Sequence, residues 1–154
     1  SGNRALMQRS ILADPRRKDI KDVINKTIKM REDFRPFAPV VMEDHYEEYF
    51  DTIGGPSPYM SRIVKVNEDK KSIVPGITHI DGTARIQTIH TAGAGLRDTY
   101  ELINQFYQIT GVPMLLNTSF NCREPIVETP EDAIKTFEKT ALDILVINDR
   151  IIRK

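Results

Sequence analysis

The sequence predicts an α/β (α+β) fold, one domain built on a mostly buried mixed sheet flanked by helices, and three observations carry that prediction. Two short apolar runs, residues 40–42 and 112–116, read as strands buried on both faces. Two other stretches repeat apolar residues at helical spacing: Ile20, Val23, Ile24 and Ile28, then Leu96, Tyr100, Ile103 and Phe106. A chain of 154 residues is one domain by length and long enough to bury a core.

Asp14-Pro15 reads as an N-cap followed by a proline in the first turn, opening a helix over about 16–27 that delivers the chain to Lys29. Pro36 and Pro39 stop it, because each lacks an N–H and biases the residue before it, Arg35 or Ala38, toward extended backbone; Val40, Val41 and Met42 then form a buried strand. A short acidic helix is expected over 43–50, a Gly/Pro loop over 54–58, a strand over 59–66 and a charged loop over 67–76. Beyond the Asp81-Gly82 turn, Ala84, Ile86 and Thr88 alternate with Arg85 and Gln87, which predicts a strand with one polar face. Gly111 stops the second helix, and the run 112–116 forms a central strand leading into residues 117–121, a loop at a strand end where α/β proteins place ligand groups. Thr129-Pro130-Glu131-Asp132 caps a third helix, and residues 144–147, the Asn148-Asp149 turn and residues 150–152 form a hairpin. There is no internal repeat.

Charge narrows the function classes. With 22 basic and 22 acidic side chains, no global field attracts nucleic acid or an anionic membrane, so neither is expected as a partner. The distribution is uneven: residues 1–35 hold ten Lys or Arg against five Asp or Glu, whereas residues 36–60 hold five acids and no Lys or Arg. A solvated basic face followed by an acidic one accounts for most of this asymmetry. The single cysteine, Cys122, excludes an internal disulfide and fits a reducing compartment. No apolar run approaches the roughly 20 residues that span a bilayer, and a cytoplasmic location is expected. The start at Ser1, already inside a patterned segment, is read as that of a domain excised from a larger protein.

Two segments carry chemistry. In KMREDFRPFAP, Lys29, Arg31 and Arg35 recur at offsets of two and six, so an extended run leans all three toward one face, where three cations repel one another unless an anion joins them. In NTSFN, Asn117, Thr118, Ser119 and Asn121 supply neutral donors and acceptors that orient a polyanion. Arg85, on the polar side of its strand, adds a semi-buried cation. Together they suit a nucleotide phosphate chain; surface cations and an ordinary turn are the plainer alternative. His45, His79 and His90 lack paired ligand spacing, so no dedicated metal site is expected. Ser119 lacks the Gly-x-Ser-x-Gly elbow and is read as a binding group, not a nucleophile. Cys122 beside Arg123 is read as incidental, and Ala92-Gly93-Ala94-Gly95 lacks the third glycine or Lys-Ser/Thr pair of a phosphate loop.

These segments name a family. GNRALMQRSILADPR, KMREDFRPFAP, SPYM at 57–60, THIDGTARIQT at 78–88, TGVPMLLNTSFN at 110–121 and EPIVETPEDAI at 124–134 resemble, in order and over nearly the whole chain, the C-terminal, YrdC-like domain of NodU/CmcH-type carbamoyltransferases. Lys29-Met30-Arg31 and Ser119-Phe120-Asn121 are also similar to the Lys-x-Arg and Ser-x-Asn pairs of YrdC-type synthases of threonylcarbamoyl adenylate. The resemblance implies a twisted mixed sheet and an ATP-dependent activation with Mg2+, in which carbamoyl phosphate becomes carbamoyl adenylate. A separate N-terminal domain of the sugar-kinase-like superfamily then transfers the carbamoyl group. It implies catalytic roles for Lys29, Arg31 and Ser119, and binding of ATP and carbamoyl phosphate by Lys29, Arg31, Arg35, Arg85, Asn117, Ser119 and Asn121. A threonylcarbamoyl-adenylate synthase and a non-catalytic nucleotide-binding or interaction module are the alternatives. The chain departs from the family pattern at Asn3 and Met7, where proline and glycine are usual. It also lacks the glycine before Glu124, which shortens the loop after the Ser-x-Asn pair.

Overall fold

The computed structural model describes residues 7–32, 34–51, 53–90 and 96–154. The Ala92–Gly95 glycine pattern and the segment up to Leu6, with the Asn3 departure, lie outside the described residues. A five-stranded mixed sheet forms the centre, in the order β1-β5-β2-β4-β3. Its strands are β1 (Ser10–Ala13), β2 (Ala38–Met42), β3 (Arg62–Lys65), β4 (Thr83–Ile89) and β5 (Met114–Ser119). Only β2 and β4 run parallel; β1 with β5, β5 with β2, and β3 with β4 are antiparallel. The predicted α/β class and mixed sheet are observed.

Every residue of β2 is buried, as a strand flanked on both sides and covered on both faces must be. One sheet face carries Val41, Ala84, Ile86, Met114 and Leu116 into the larger apolar cluster, with Ile20, Ile24 and Ile28. The other carries Val40, Met42, Ile89 and Leu115 against α3 (Arg97–Thr110), which contributes Tyr100, Ile103, Phe106 and Tyr107. α3 ends where expected: Gly111 takes φ 72°, a left-handed conformation that costs glycine nothing, and its N–H bonds the Tyr107 carbonyl. α4 (Pro130–Lys139) opens on a complete capping box, with Thr129 Oγ1 accepting from Asp132 N–H and Asp132 accepting from Thr129 N–H. β6 (Ile144–Ile147) and β7 (Arg150–Arg153) form the expected hairpin.

Several boundaries differ from the sequence reading. The first helix starts later: α1 spans only Ile20–Val23 and runs on as a π-helical turn, Ile24–Lys29. Asp14 does not cap it, because its carboxylate accepts from Arg16 N–H and Nε and holds a local turn. The expected strand over 59–66 shortens to β3, since residues 54–60 are turn and loop and Met60 takes a positive φ. The acidic segment is a 3-10 turn, Glu43–His45, followed by α2 (Tyr46–Tyr49). β1 was not anticipated at all. β5 runs on to Ser119, so Asn117, Thr118 and Ser119 are strand residues, not loop residues.

Candidate functional site

The register gathers polar side chains at one end of the sheet. Val40 lies opposite Gln87 on β4 and Leu115 on β5; two residues along, Ala38 lies opposite Asn117, and Ser10 lies opposite Ser119. Because strand side chains alternate, Arg85, Gln87, Asn117, Ser119 and Ser10 occupy the face that α3 covers elsewhere. The strip begins where the apolar contacts with α3 stop.

Lys29 crosses to this end from the π-helical turn. It is buried, 4% exposed. Its Nζ donates to the Ser119 carbonyl, to Ser119 Oγ at 3.2 Å, to the Asn121 carbonyl at 3.0 Å and to Asn121 Oδ1 at 2.7 Å. Ser119 Oγ in turn donates to Asn121 Oδ1 at 2.7 Å. The structure therefore joins the lysine of one sequence pair to the serine and asparagine of the other.

Arg31 is placed differently from the sequence expectation. Met30 takes φ 48° at the helix end, so residues 29–35 do not form one extended run and their three cations do not share a strand face. Arg31 Nε donates to Asn25 Oδ1 at 2.7 Å, and its guanidinium lies 4.8 Å from the Phe37 ring centre. Burial, with the neighbouring Arg35 charge, pushes the Arg31 pKa down from its ordinary value. Arg35 is exposed and 3.8 Å from Glu32. Arg85 is exposed rather than semi-buried, and the polar face foreseen for β4 is confined to it, because Gln87 is fully buried.

Sequence reasoning missed three residues. Asn25, fully buried within the apolar helix pattern, accepts from Arg31 and donates through Nδ2 to the Arg35 carbonyl at 3.1 Å. An asparagine between Ile24 and Ile28 on a core-facing turn was the available signal. Gln87 accepts from Asn117 Nδ2 at 3.1 Å. Glu124 anchors the shortened loop: its carbonyl accepts from Asn121 Nδ2 at 2.7 Å, and its carboxylate accepts from Cys122 N–H, Arg123 N–H and the Thr136 hydroxyl. Burial alone raises this carboxyl. Hydrogen bonds from its own N–H, Cys122, Thr136 and Arg123 outweigh burial and bring it down from 4.5 to about 2. A cleft of ≈ 420 Å³ beside α4, lined among others by Glu124, Val127 and Lys135, contains none of the seven predicted residues.

Among the described residues no group of three His, Cys, Asp or Glu is placed to hold a metal ion, and no helix is long and apolar enough to cross a membrane.

Fold and cluster together define an α/β domain whose lysine, hydroxyl and amide groups converge at one end of a mixed sheet. The chain belongs to the family described as Carbamoyltransferase C-terminus, whose model matches residues 1–154. It is 47% identical over 157 residues to Nodulation protein NolNO of Sinorhizobium fredii, covering 99% of this chain and 23% of that protein. It is 46% identical over 160 residues to Nodulation protein NolO of Bradyrhizobium diazoefficiens, covering 99% of this chain and 28% of that protein. With Nodulation protein U of Rhizobium tropici it shares 40% identity over 120 residues, 78% of this chain and 20% of that protein. The chain thus spans a minor part of the length of each of these relatives.

Proposed function

We propose that this domain performs the adenylate-forming half of an O-carbamoyltransferase, converting carbamoyl phosphate and ATP to carbamoyl adenylate. Hydrolysis of carbamoyl phosphate by one water leaves carbamate and inorganic phosphate; a carbamate oxygen attacks the α-phosphorus of ATP, and pyrophosphate leaves with the bond electrons. Carbamate and triphosphate are both anionic, so the demand on the protein is preorganised positive charge. The observation that carries the reading is the convergence of Lys29 with Ser119 and Asn121, 90 and 92 residues away in sequence, in a chain of this family.

In this reading Lys29 offsets charge on the phosphates, Arg31 and Arg35 approach from the segment entering β2, and Arg85 approaches along β4. Asn117, Ser119 and Asn121 orient phosphate oxygens or the carbamoyl group. Arg31, half-buried with a depressed pKa, is favoured by an arriving anion. Mg2+ would ride on the triphosphate oxygens, supplying charge neutralisation, since the described residues provide no carboxylate set for it. In this reading, transfer to a hydroxyl acceptor belongs to a separate N-terminal domain, which the much greater length of the relatives leaves room for.

Pyrophosphate exchange tests the assignment. Labelled pyrophosphate should enter ATP only when carbamoyl phosphate is supplied. Exchange that requires threonine and bicarbonate instead would make the domain a threonylcarbamoyl-adenylate synthase. Absence of exchange with retained ATP binding would leave a nucleotide-binding module.

A further inference from the structure

Gln87 and Asn117 form an incomplete amide pair. Gln87 is 0% and Asn117 3% exposed. Asn117 Nδ2 donates to Gln87 Oε1, yet Gln87 Nε2 and Asn117 Oδ1 are buried with no partner. Ser10 Oγ, on the same face of the neighbouring β1, is also buried without a partner. Buried amide groups are nearly always satisfied, so an unmatched donor and an unmatched acceptor on two hydrogen-bonded amides call for a group that completes both. Exchanging the oxygen and nitrogen of both amides leaves the conclusion intact, because one donor and one acceptor remain over in either assignment.

The geometry points to a specificity role for this pair: Gln87 and Asn117 read the carbamoyl group of carbamoyl phosphate, an inference that rests on the function proposed above. A primary amide presents a carbonyl acceptor and an NH2 donor side by side on one plane, the complement of what the pair leaves unmatched. Phosphate and carboxylate present acceptors only and set an oxygen against Asn117 Oδ1. Ser119, held by Lys29, follows Asn117 by two strand residues, about 6.8 Å along β5. That spacing suits a carbamoyl head at Asn117 and its phosphate at Ser119 and Lys29. Ser10 Oγ supplies a further hydroxyl beside Ser119, at the phosphate end.

Acetyl phosphate is the decisive probe, since it keeps the carbonyl and the phosphate and replaces NH2 by a methyl group that cannot satisfy Asn117 Oδ1. In calorimetric titrations of this chain, carbamoyl phosphate should bind at least about tenfold more tightly than acetyl phosphate. Asn117→Leu, close in volume and shown folded by its thermal transition, removes the acceptor that the NH2 group meets and should bring the two ligands within about threefold while inorganic phosphate changes less than about twofold. Equal affinity for carbamoyl and acetyl phosphate in the parent overturns the inference without any variant. Unchanged discrimination in Asn117→Leu overturns it too and leaves the pair as a site for buried water. Loss of ATP affinity with discrimination retained assigns the pair to the adenine edge instead. Failure of ATP, pyrophosphate and phosphate alike to bind the parent would remove the proposed function itself, a result distinct from loss of selectivity alone.

Discussion

Asn25 is where a single truncation should expose how the basic segment is held. Its side chain makes a charge-assisted bond from Arg31 Nε at 2.7 Å and a neutral bond to the Arg35 carbonyl at 3.1 Å, both at a fully buried position. A charged hydrogen bond contributes about 1.5–3 kcal/mol and a neutral one about 0.5–1.5 kcal/mol, so Asn25→Ala should lose about 2–4.5 kcal/mol of folding stability. Asn25→Asp keeps an oxygen facing Arg31, now as an ion pair, but sets its second oxygen against the Arg35 carbonyl; with the Arg31 bond retained it should lose less than Asn25→Ala. Urea unfolding of the three proteins, compared at a common m-value, measures this. A loss below about 1 kcal/mol in Asn25→Ala, or equal losses in the two variants, would refute the reasoning, because the Arg31 bond would then carry no energy.

Glu124 gives a pH test whose sign is fixed by a depressed pKa. Its contribution to the loop is complete above its ordinary value of 4.5 and is lost as pH falls through about 2, so the parent should lose stability over that window more steeply than Glu124→Gln; identical profiles would deny the loop-anchoring role. Arg31→Ala and Arg85→Ala, each compared while still folded, should weaken ATP binding by about 1.5–3 kcal/mol, and unchanged calorimetric affinity in both would leave Arg31 as a partner of Asn25 alone and Arg85 as surface charge. Thr129→Ala removes one half of the capping box and should cost about 1 kcal/mol in denaturant unfolding without altering ligand affinity; a null effect would mean that Asp132 alone holds the helix start. Ser119→Ala should slow pyrophosphate exchange without abolishing it, since the hydroxyl orients a ligand; complete loss together with a covalent adduct trapped on Ser119 in the parent would make it a nucleophile.

What the sequence made legible follows from the range of the forces involved. α4 and the end of α3 were readable because caps act within one turn: Thr129 with Asp132, and Gly111 at φ 72°, are local chemistry. β2 and β5 were readable because burial on both faces leaves an uninterrupted apolar run. β1 was not, because four residues at the sheet edge, paired to β5 alone, acquire their strand identity from a partner more than a hundred residues away. The candidate site divides in the same way. Lys29, Ser119 and Asn121 were identified by residue type and motif, and the structure brings them into contact. Their arrangement was not legible, because the π-helical turn and the left-handed Met30 rotate Lys29 inward and Arg31 onto Asn25, out of the extended pattern that a period of two assumes.

The polar end of the sheet is a consequence of strand direction as much as of composition. β5 changes along its own length from Met114, Leu115 and Leu116 to Asn117, Thr118 and Ser119. Because β1 and β2 are antiparallel to β5, and β4 is parallel to β2, the beginnings of β1, β2 and β4 meet the end of β5. Ser10, Ala38, Arg85 and Gln87 therefore arrive at the polar half of β5, while Val40, Met42 and Ile89 meet its apolar half beneath α3. The segment from Lys29 to Phe37 enters this same end because it leads directly into β2. Ala38, on the strand between β4 and β5, places only a methyl group beside Asn117. One topology thus separates an apolar half that stabilises the domain from a polar half that, in the proposed function, faces the ligand.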